Sequence, residues 1–105
     1  MLVEAGANVN AMNYWGSTPL HQVGGHVEMS QMLVEAGANV NSADLSGNTP
    51  LHGSAFNSHV EVCQVLIEAG ANVHATNDRG ETPLDLAKQV NCHVTLLQQL
   101  EPLTK

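Results

Sequence analysis

A ten-residue phrase opens the chain and comes back unchanged. MLVEAGANVN, Met1 to Asn10, recurs letter for letter at Met32 to Asn41, 31 residues on (32 − 1), and a close variant, VLIEAGANVH, runs from Val65 to His74, a further 33 (65 − 32). A phrase returning at intervals of roughly 20–50 residues marks a solenoid, in which one small unit cannot bury its apolar face alone and must stack on a neighbour. The phrase is the end of a helix. Apolar Leu33 and Val34 lead to Glu35, Ala36 and then Gly37, the residue type that closes helices in a left-handed conformation, and Gly6 and Gly70 hold the equivalent places.

Behind each decamer comes a polar segment, a Gly and then Thr-Pro-Leu: residues 13–21, 44–52 and 77–85 read NYWGSTPLH, DLSGNTPLH and NDRGETPLD. Asn or Asp with Gly three positions later fits a tight β-turn. The Thr suits an N-cap, and Pro fits the first helical position, where its missing N–H costs nothing. A second helix follows after a break at Ser58-His59: Val60, Val62, Cys63, Leu66 and Ile67 form an apolar stripe at helical spacing, with Glu61, Gln64 and Glu68 on the wet side. In the preceding unit Val27, Met29, Met32 and Leu33 are expected inside and Glu28, Gln31 and Glu35 outside.

With those cues in register, the chain resembles the ankyrin repeat family over essentially its whole length. The expected fold class is all-α: an ankyrin-repeat solenoid of helix-turn-helix units joined by β-turn or hairpin loops. One domain is expected over 1–105, made of a partial repeat (1–12), a shortened repeat (13–43), a full repeat (44–76) and a C-terminal capping repeat (77–105). Two departures stand out. His21 to His26 spans five residues (26 − 21) where His52 to His59 spans seven (59 − 52), so the first helix of that unit lacks two residues and ends at Gly24-Gly25. A helix of about one turn ending in two glycines is expected to fray into a loose or non-helical segment, since nucleation is costly. The last unit carries Asp85 in place of His, and its Leu96, Leu97 and Leu100 before Glu101-Pro102 read as a cap, apolar on one face only.

Only 3% of the residues are aromatic, so the core must come from Leu, Val, Ala and Met. The net charge is −7, and Arg79, Lys88 and Lys105 are the whole basic complement, all in the last third. Nothing ahead of Arg79 can neutralise phosphate, which argues against nucleic acid and anionic membrane as partners. No apolar run nears the ~20 residues of a spanning helix and no secretory leader opens the chain, so a cytoplasmic or nuclear location is expected. Cys63 and Cys92 are too few and too scattered for a disulfide framework and read as core thiols.

Six histidines raise the question of a metal. His21 and His52 occupy equivalent places in neighbouring units, so their backbones stand a helix-packing distance of roughly 8–10 Å apart, an arrangement ill suited to a shared zinc ligated at about 2.0–2.1 Å. The resemblance implies instead that each ring brackets the capping Thr, Thr18 or Thr49, and that His26 and His59 serve the joint between helices; His93 has no evident partner. Ser17, Ser46, Ser54 and Ser58 lack a nucleophile elbow, and Glu4, Glu35 and Glu68 are one repeat position seen three times, a solvated face. No enzyme, metal or cofactor is expected.

The resemblance also implies a partner surface: the residues between the turn Asx and the capping Thr, with the open side of the first helix, line a concave strip. Carried over, these are Tyr14, Trp15 and Ser17; Leu45, Ser46 and Asn48; Phe56 and Asn57; and Asp78, Arg79 and Glu81. All three rings of the chain fall in that set, and exposed Trp, Tyr and Arg dominate interface hot spots. The competing expectation is that Tyr14 and Trp15 fold back over the shortened helix. Asn10, Asn41 and His74 follow a Leu by eight residues (10 − 2, 41 − 33, 74 − 66), a pattern similar to that accepted by the oxygen-sensing asparaginyl hydroxylase, although such Asn side chains also tie turns together. The function implied is a monomeric, non-catalytic module for binding protein. Alternatives are a direct kinase inhibitor, since cyclin-dependent kinase inhibitors of this family shorten a first helix, the adaptor arm of a ubiquitin ligase, for which nothing after Leu100 supplies the ligase-binding box, or a fragment without a defined partner.

Overall fold

The computed structural model describes residues 8–89. Each unit begins where its Thr fixes a helix start. Thr49 is extended (φ −91°, ψ 168°), the His52 N–H donates to its Oγ1, and the Thr49 N–H donates to His52 Nδ1 3.1 Å away. The two residues thus satisfy each other's amides at the helix end that would otherwise leave them open. Pro50 follows at the first helical position.

Four helices form on this plan: α1 (Val27–Glu35), α2 (Pro50–Phe56), α3 (Val60–Glu68) and α4 (Pro83–Gln89), with no strand among the described residues. They lie in two layers. The Pro19–Gln22 segment, α2 and α4 stack as an inner row, while α1 and α3 stack as an outer row. Both α1 and α3 close in the same way: the Ala38 N–H reaches back to Leu33 O (3.0 Å) and the Ala71 N–H to Leu66 O (2.9 Å), a Schellman-type ending set up by Gly37 and Gly70.

The core runs between the layers. Leu20, Leu33, Leu51, Ala55, Val62, Cys63, Leu66, Leu84 and Ala87 are buried in one cluster, and no aromatic ring takes part. Each fully buried Leu or Val contributes roughly 1.5–3 kcal/mol, and the small Ala55 and Ala87 let the inner helices approach closely. Val27, Met29, Val60 and Ile67 pack at its margin.

Two expectations require correction. Met32 is expected inside, yet it is exposed, and Ser30 is buried in α1 beside Leu33, its hydroxyl donating to Val27 O at 2.6 Å. The inward stripe centres on Met29, Ser30 and Leu33, so Met32 falls on its outer edge. The shortened first helix is expected to be loose or non-helical. No α-helix forms there, but the segment is a packed 3-10 turn, Pro19–Gln22, with Leu20 and Val23 buried, rather than a loose one. Two tertiary anchors, the Leu20 side chain in the core and the His21 ring described below, offset the helical turn that is missing.

Expectations for residues 1–7, Cys92, His93 and the apolar face of Leu96, Leu97 and Leu100 lie outside the described residues.

Candidate functional site

The loops between units are built by one short polar side chain each. Asp44 Oδ1 accepts from the N–H groups of Ser46 and Asn48, both at 2.9 Å, while the Asp44 N–H donates to Asn48 O. Asn13 does the same for Trp15 and Ser17, and Asn77 for Arg79 and Glu81. A finger held from its own base needs no packing at its tip, so the tip side chains are left to solvent.

The fingers are joined sideways. The Leu45 N–H donates to Trp15 O and the Asp78 N–H to Ser46 O, each at 2.9 Å, and Asn77 Nδ2 donates to Asn48 Oδ1 at 2.9 Å. This close approach explains Gly47: at φ +80° it avoids side-chain strain, and a Cβ there would lie 2.8 Å from Asp78 Oδ1 and 2.9 Å from Asp78 N.

Behind the fingers the two histidines connect successive units. Thr18 N–H donates to His21 Nδ1 (3.1 Å), which leaves Nε2 to donate to Asn48 O in the next unit at 2.8 Å. His52 repeats this with Thr49 and Glu81 O, again at 2.8 Å, and is fully buried. Burial lowers its pKa below 6.5, against the opposing pull of the Glu81 carbonyl and the Asp44 charge, so the ring stays neutral. Asp85 stands third in the series. Its Oδ2 accepts from Thr82 N–H and its own N–H donates to Thr82 Oγ1, so the cap is kept, but a carboxylate has no proton to donate onward.

A second row of bridges runs along the decamer ends. Asn41 Nδ2 donates to Gly70 O (3.3 Å) and Asn41 Oδ1 accepts from Asn72 N–H (2.7 Å); Asn10 makes the same pair with Gly37 O and Asn39 N–H. His74, the third member, makes no such side-chain bridge among the described residues; its own N–H donates to Asn72 Oδ1. The amides singled out as modification candidates are therefore structural locks.

Loops and inner helices enclose a cleft of about 480 Å³. The residues expected to bind a partner divide around it. Ser17, Ser46, Asn48, Phe56, Asp78, Arg79 and Glu81 line the cleft. Tyr14, Trp15 and Leu45 do not: they stand on the finger tips, 94%, 70% and 72% exposed, and the two rings are not folded over the 3-10 turn. Asn57 belongs to neither group, because its Nδ2 donates to Gly53 O at the end of α2. Asn48 and Glu81 lie in the wall but are committed, Asn48 to Asn77 and Glu81 to Asn77 Nδ2 (2.9 Å) and Gln89 Nε2 (2.6 Å). These hydrogen bonds hold the Glu81 carboxyl below its usual pKa.

Sequence reasoning missed Asp44, Gly53 and Gln89 in the cleft wall. Gly53 carried a legible signal, since a glycine inside a helix is costly unless its face must stay open; a Cβ there would meet nothing within 4 Å. Gln89 carried none.

Among the described residues no group of three or more His, Cys, Asp or Glu side chains converges to hold a metal ion, and no helix is long and apolar enough to cross a membrane. Stacked helix pairs with projecting polar loops over an inner cleft define a helical-repeat solenoid. The family model for ankyrin repeats (3 copies) matches residues 1–77, and the chain belongs to the ankyrin repeat family. No curated protein matches the chain. Ankyrin repeats are in general protein–protein interaction modules and typically non-catalytic.

Proposed function

We propose that the chain acts as a monomeric, non-catalytic module that presents its concave strip to a protein partner. The observation that carries this reading is the exposure of Tyr14 (94%) and Trp15 (70%) on loops braced from within. A chain with so few rings gains most by burying them in its core, and a large apolar side chain left in water stabilises nothing until another surface covers it. The strip runs from Tyr14 and Trp15 through Leu45 and Phe56 to Asp78, Arg79 and Glu81. Its rigidity limits the entropy lost on association.

The test is affinity capture with the wild type and a Trp15→Ala/Phe56→Ala variant in parallel. For a partner so captured, Trp15→Ala alone is expected to weaken binding at least roughly tenfold, the scale of a hot-spot ring, with thermal stability almost unchanged. Equal recovery by both proteins refutes the reading.

A second reading, direct inhibition of a kinase, draws on the 3-10 turn at Pro19–Gln22 in place of a full first helix. A kinase assay with the isolated chain separates the two: inhibition at stoichiometric protein supports the second.

A further inference from the structure

The cleft and the finger tips differ in chemistry, and the difference specifies what fits them together. Asp44, Asp78 and Glu81 line the cleft together with a single basic residue, Arg79, so its formal charge is negative. Asp78 is exposed, and Glu81 accepts from two neutral amides, which keep its carboxyl ionised without adding positive charge. On the tips beside it, Tyr14, Trp15 and Leu45 form an uncharged apolar ledge, with Met12 also exposed. Aromatic faces attract cations as well as apolar groups. Over the whole chain the net charge of −7 adds a long-range field of the same sign.

We propose that the occupant of this strip is a cationic, extended segment of a protein partner, whose Lys or Arg side chains enter the cleft beside Asp78, Glu81 and Asp44 while an apolar residue lies across Trp15 and Leu45. The proposal rests on the concave strip being the binding surface, as proposed above, and names the class of partner it takes. A second copy of the chain fits poorly, since it brings the same excess of negative charge to the same place. A cation seated here exchanges water for carboxylates that cannot neutralise one another, and Arg79 opposes it, so complementarity resides in the charges rather than in the volume of the cleft.

The outer layer offers cations a rival location. Glu28, Glu35, Glu61 and Glu68 project from α1 and α3 and are exposed, but Tyr14, Trp15 and Phe56 all lie elsewhere, on the loops and α2, and loose attraction there is the outcome the test must separate.

Trp15, the sole tryptophan, supplies the readout. The probes are three short peptides that share Leu and Gly and differ only in bearing Lys, Gln or Glu at every third position, each titrated while Trp15 emission is followed. The Lys peptide is expected to give a saturable change, the Gln peptide roughly tenfold weaker binding and the Glu peptide none. Against the Lys peptide, Asp78→Asn is expected to weaken binding about threefold and Arg79→Gln to tighten it by a similar factor, while Glu28→Gln/Glu61→Gln leaves it unchanged. Tightening by Arg79→Gln cannot come from a damaged fold. If the Gln peptide binds as well as the Lys peptide and Phe56→Ala weakens both, the cationic assignment is overturned while the strip remains the binding surface. If Lys-peptide binding ignores Phe56→Ala and Asp78→Asn but falls in the Glu28/Glu61 variant, both readings fail. A Trp15 signal unmoved by all three peptides overturns the cationic assignment and leaves the strip to be judged by the capture experiment.

Discussion

His52 in one repeat and Glu81 in the next are joined by a 2.8 Å hydrogen bond from the imidazole Nε2 to the Glu81 main-chain oxygen. One ring therefore caps its own helix through Nδ1 and holds the neighbouring loop through Nε2, linking local structure to the stacking of units.

Removing that ring leaves the Thr49 N–H without its acceptor, takes one of two donors from the Glu81 carbonyl, which keeps the Asn77 N–H at 3.0 Å, and opens a cavity. His52→Ala is expected to cost about 3 kcal/mol or more, and His21→Ala, at the half-buried counterpart, about 1–2 kcal/mol. Urea denaturation of the two variants checks the order; equal losses would show that burial of the ring is not what matters.

The same ring makes the stack sensitive to acid. In the folded chain His52 resists protonation because burial holds its pKa below 6.5, whereas the unfolded chain takes up the proton near 6.5. Below that value the unfolded state binds more protons, so stability present at neutral pH declines as pH falls through 6.5 toward the lower folded pKa. Glu81 acts later and in the same direction: its lowered pKa favours the fold above 4.5, and that gain is lost as pH falls through the folded value. Melting temperatures between neutral pH and pH 5 are expected to drop in the wild type and to drop less in His52→Gln. Parallel curves would exclude His52 as the cause.

Asn41 holds Gly70 O and Asn72 N–H at once. Asn41→Ala is expected to destabilise by about 1–2 kcal/mol. Hydroxylation of Asn41, the modification implied by the resemblance, requires the loop to leave this lock. Intact mass after incubation with the asparaginyl hydroxylase is expected to rise by one oxygen only where mild urea opens the joint; modification of the native chain as fast as of a free peptide would contradict the lock.

Ser58 adopts φ +58°, the one left-handed residue other than glycine among those described. Its strain of roughly 1–2 kcal/mol exceeds the extra entropy glycine loses on folding, so Ser58→Gly is expected to stabilise by about 0.5–1 kcal/mol. A lower midpoint in urea would mean the hydroxyl has a role beyond its backbone.

Gly47 and Gly80 have similar backbones, φ +80° and +74°, but only at Gly47 does a neighbouring finger stand in the way. Gly80→Ala is expected to cost about 1 kcal/mol from strain alone, and Gly47→Ala clearly more, since Asp78 must also move. Equal costs by thermal melting would rule out close packing of adjacent loops.

How far the sequence revealed this molecule follows from the range of each interaction. Turns, caps and helix ends were legible because Asp44, Thr49, Pro50 and Gly37 act within a few residues of themselves. The 3-10 turn at Pro19–Gln22 was not, because its order comes from Leu20 in a core built by other units and from His21 reaching Asn48. Exposure of Trp15 was implied by the resemblance, against the competing expectation of a ring folded back, whereas the division between tip and cleft depended on where neighbouring loops direct their side chains. Met32 was misplaced because a stripe read at helical spacing fixes a face only to within one position, and Ser30, polar by type, gave no sign of facing inward. Gln89 reaches Glu81 eight residues away, an offset with no sequence pattern behind it.

Both rows of bridges change chemistry at their third position, where Asp85 puts a carboxylate in the place of His21 and His52, and His74 puts an imidazole in the place of Asn10 and Asn41. The joints between successive units are thus written in single side chains rather than in the helices. Restoring the repeated residue types, Asp85→His with His74→Asn, would give this unit the same pair of connectors that its predecessors use.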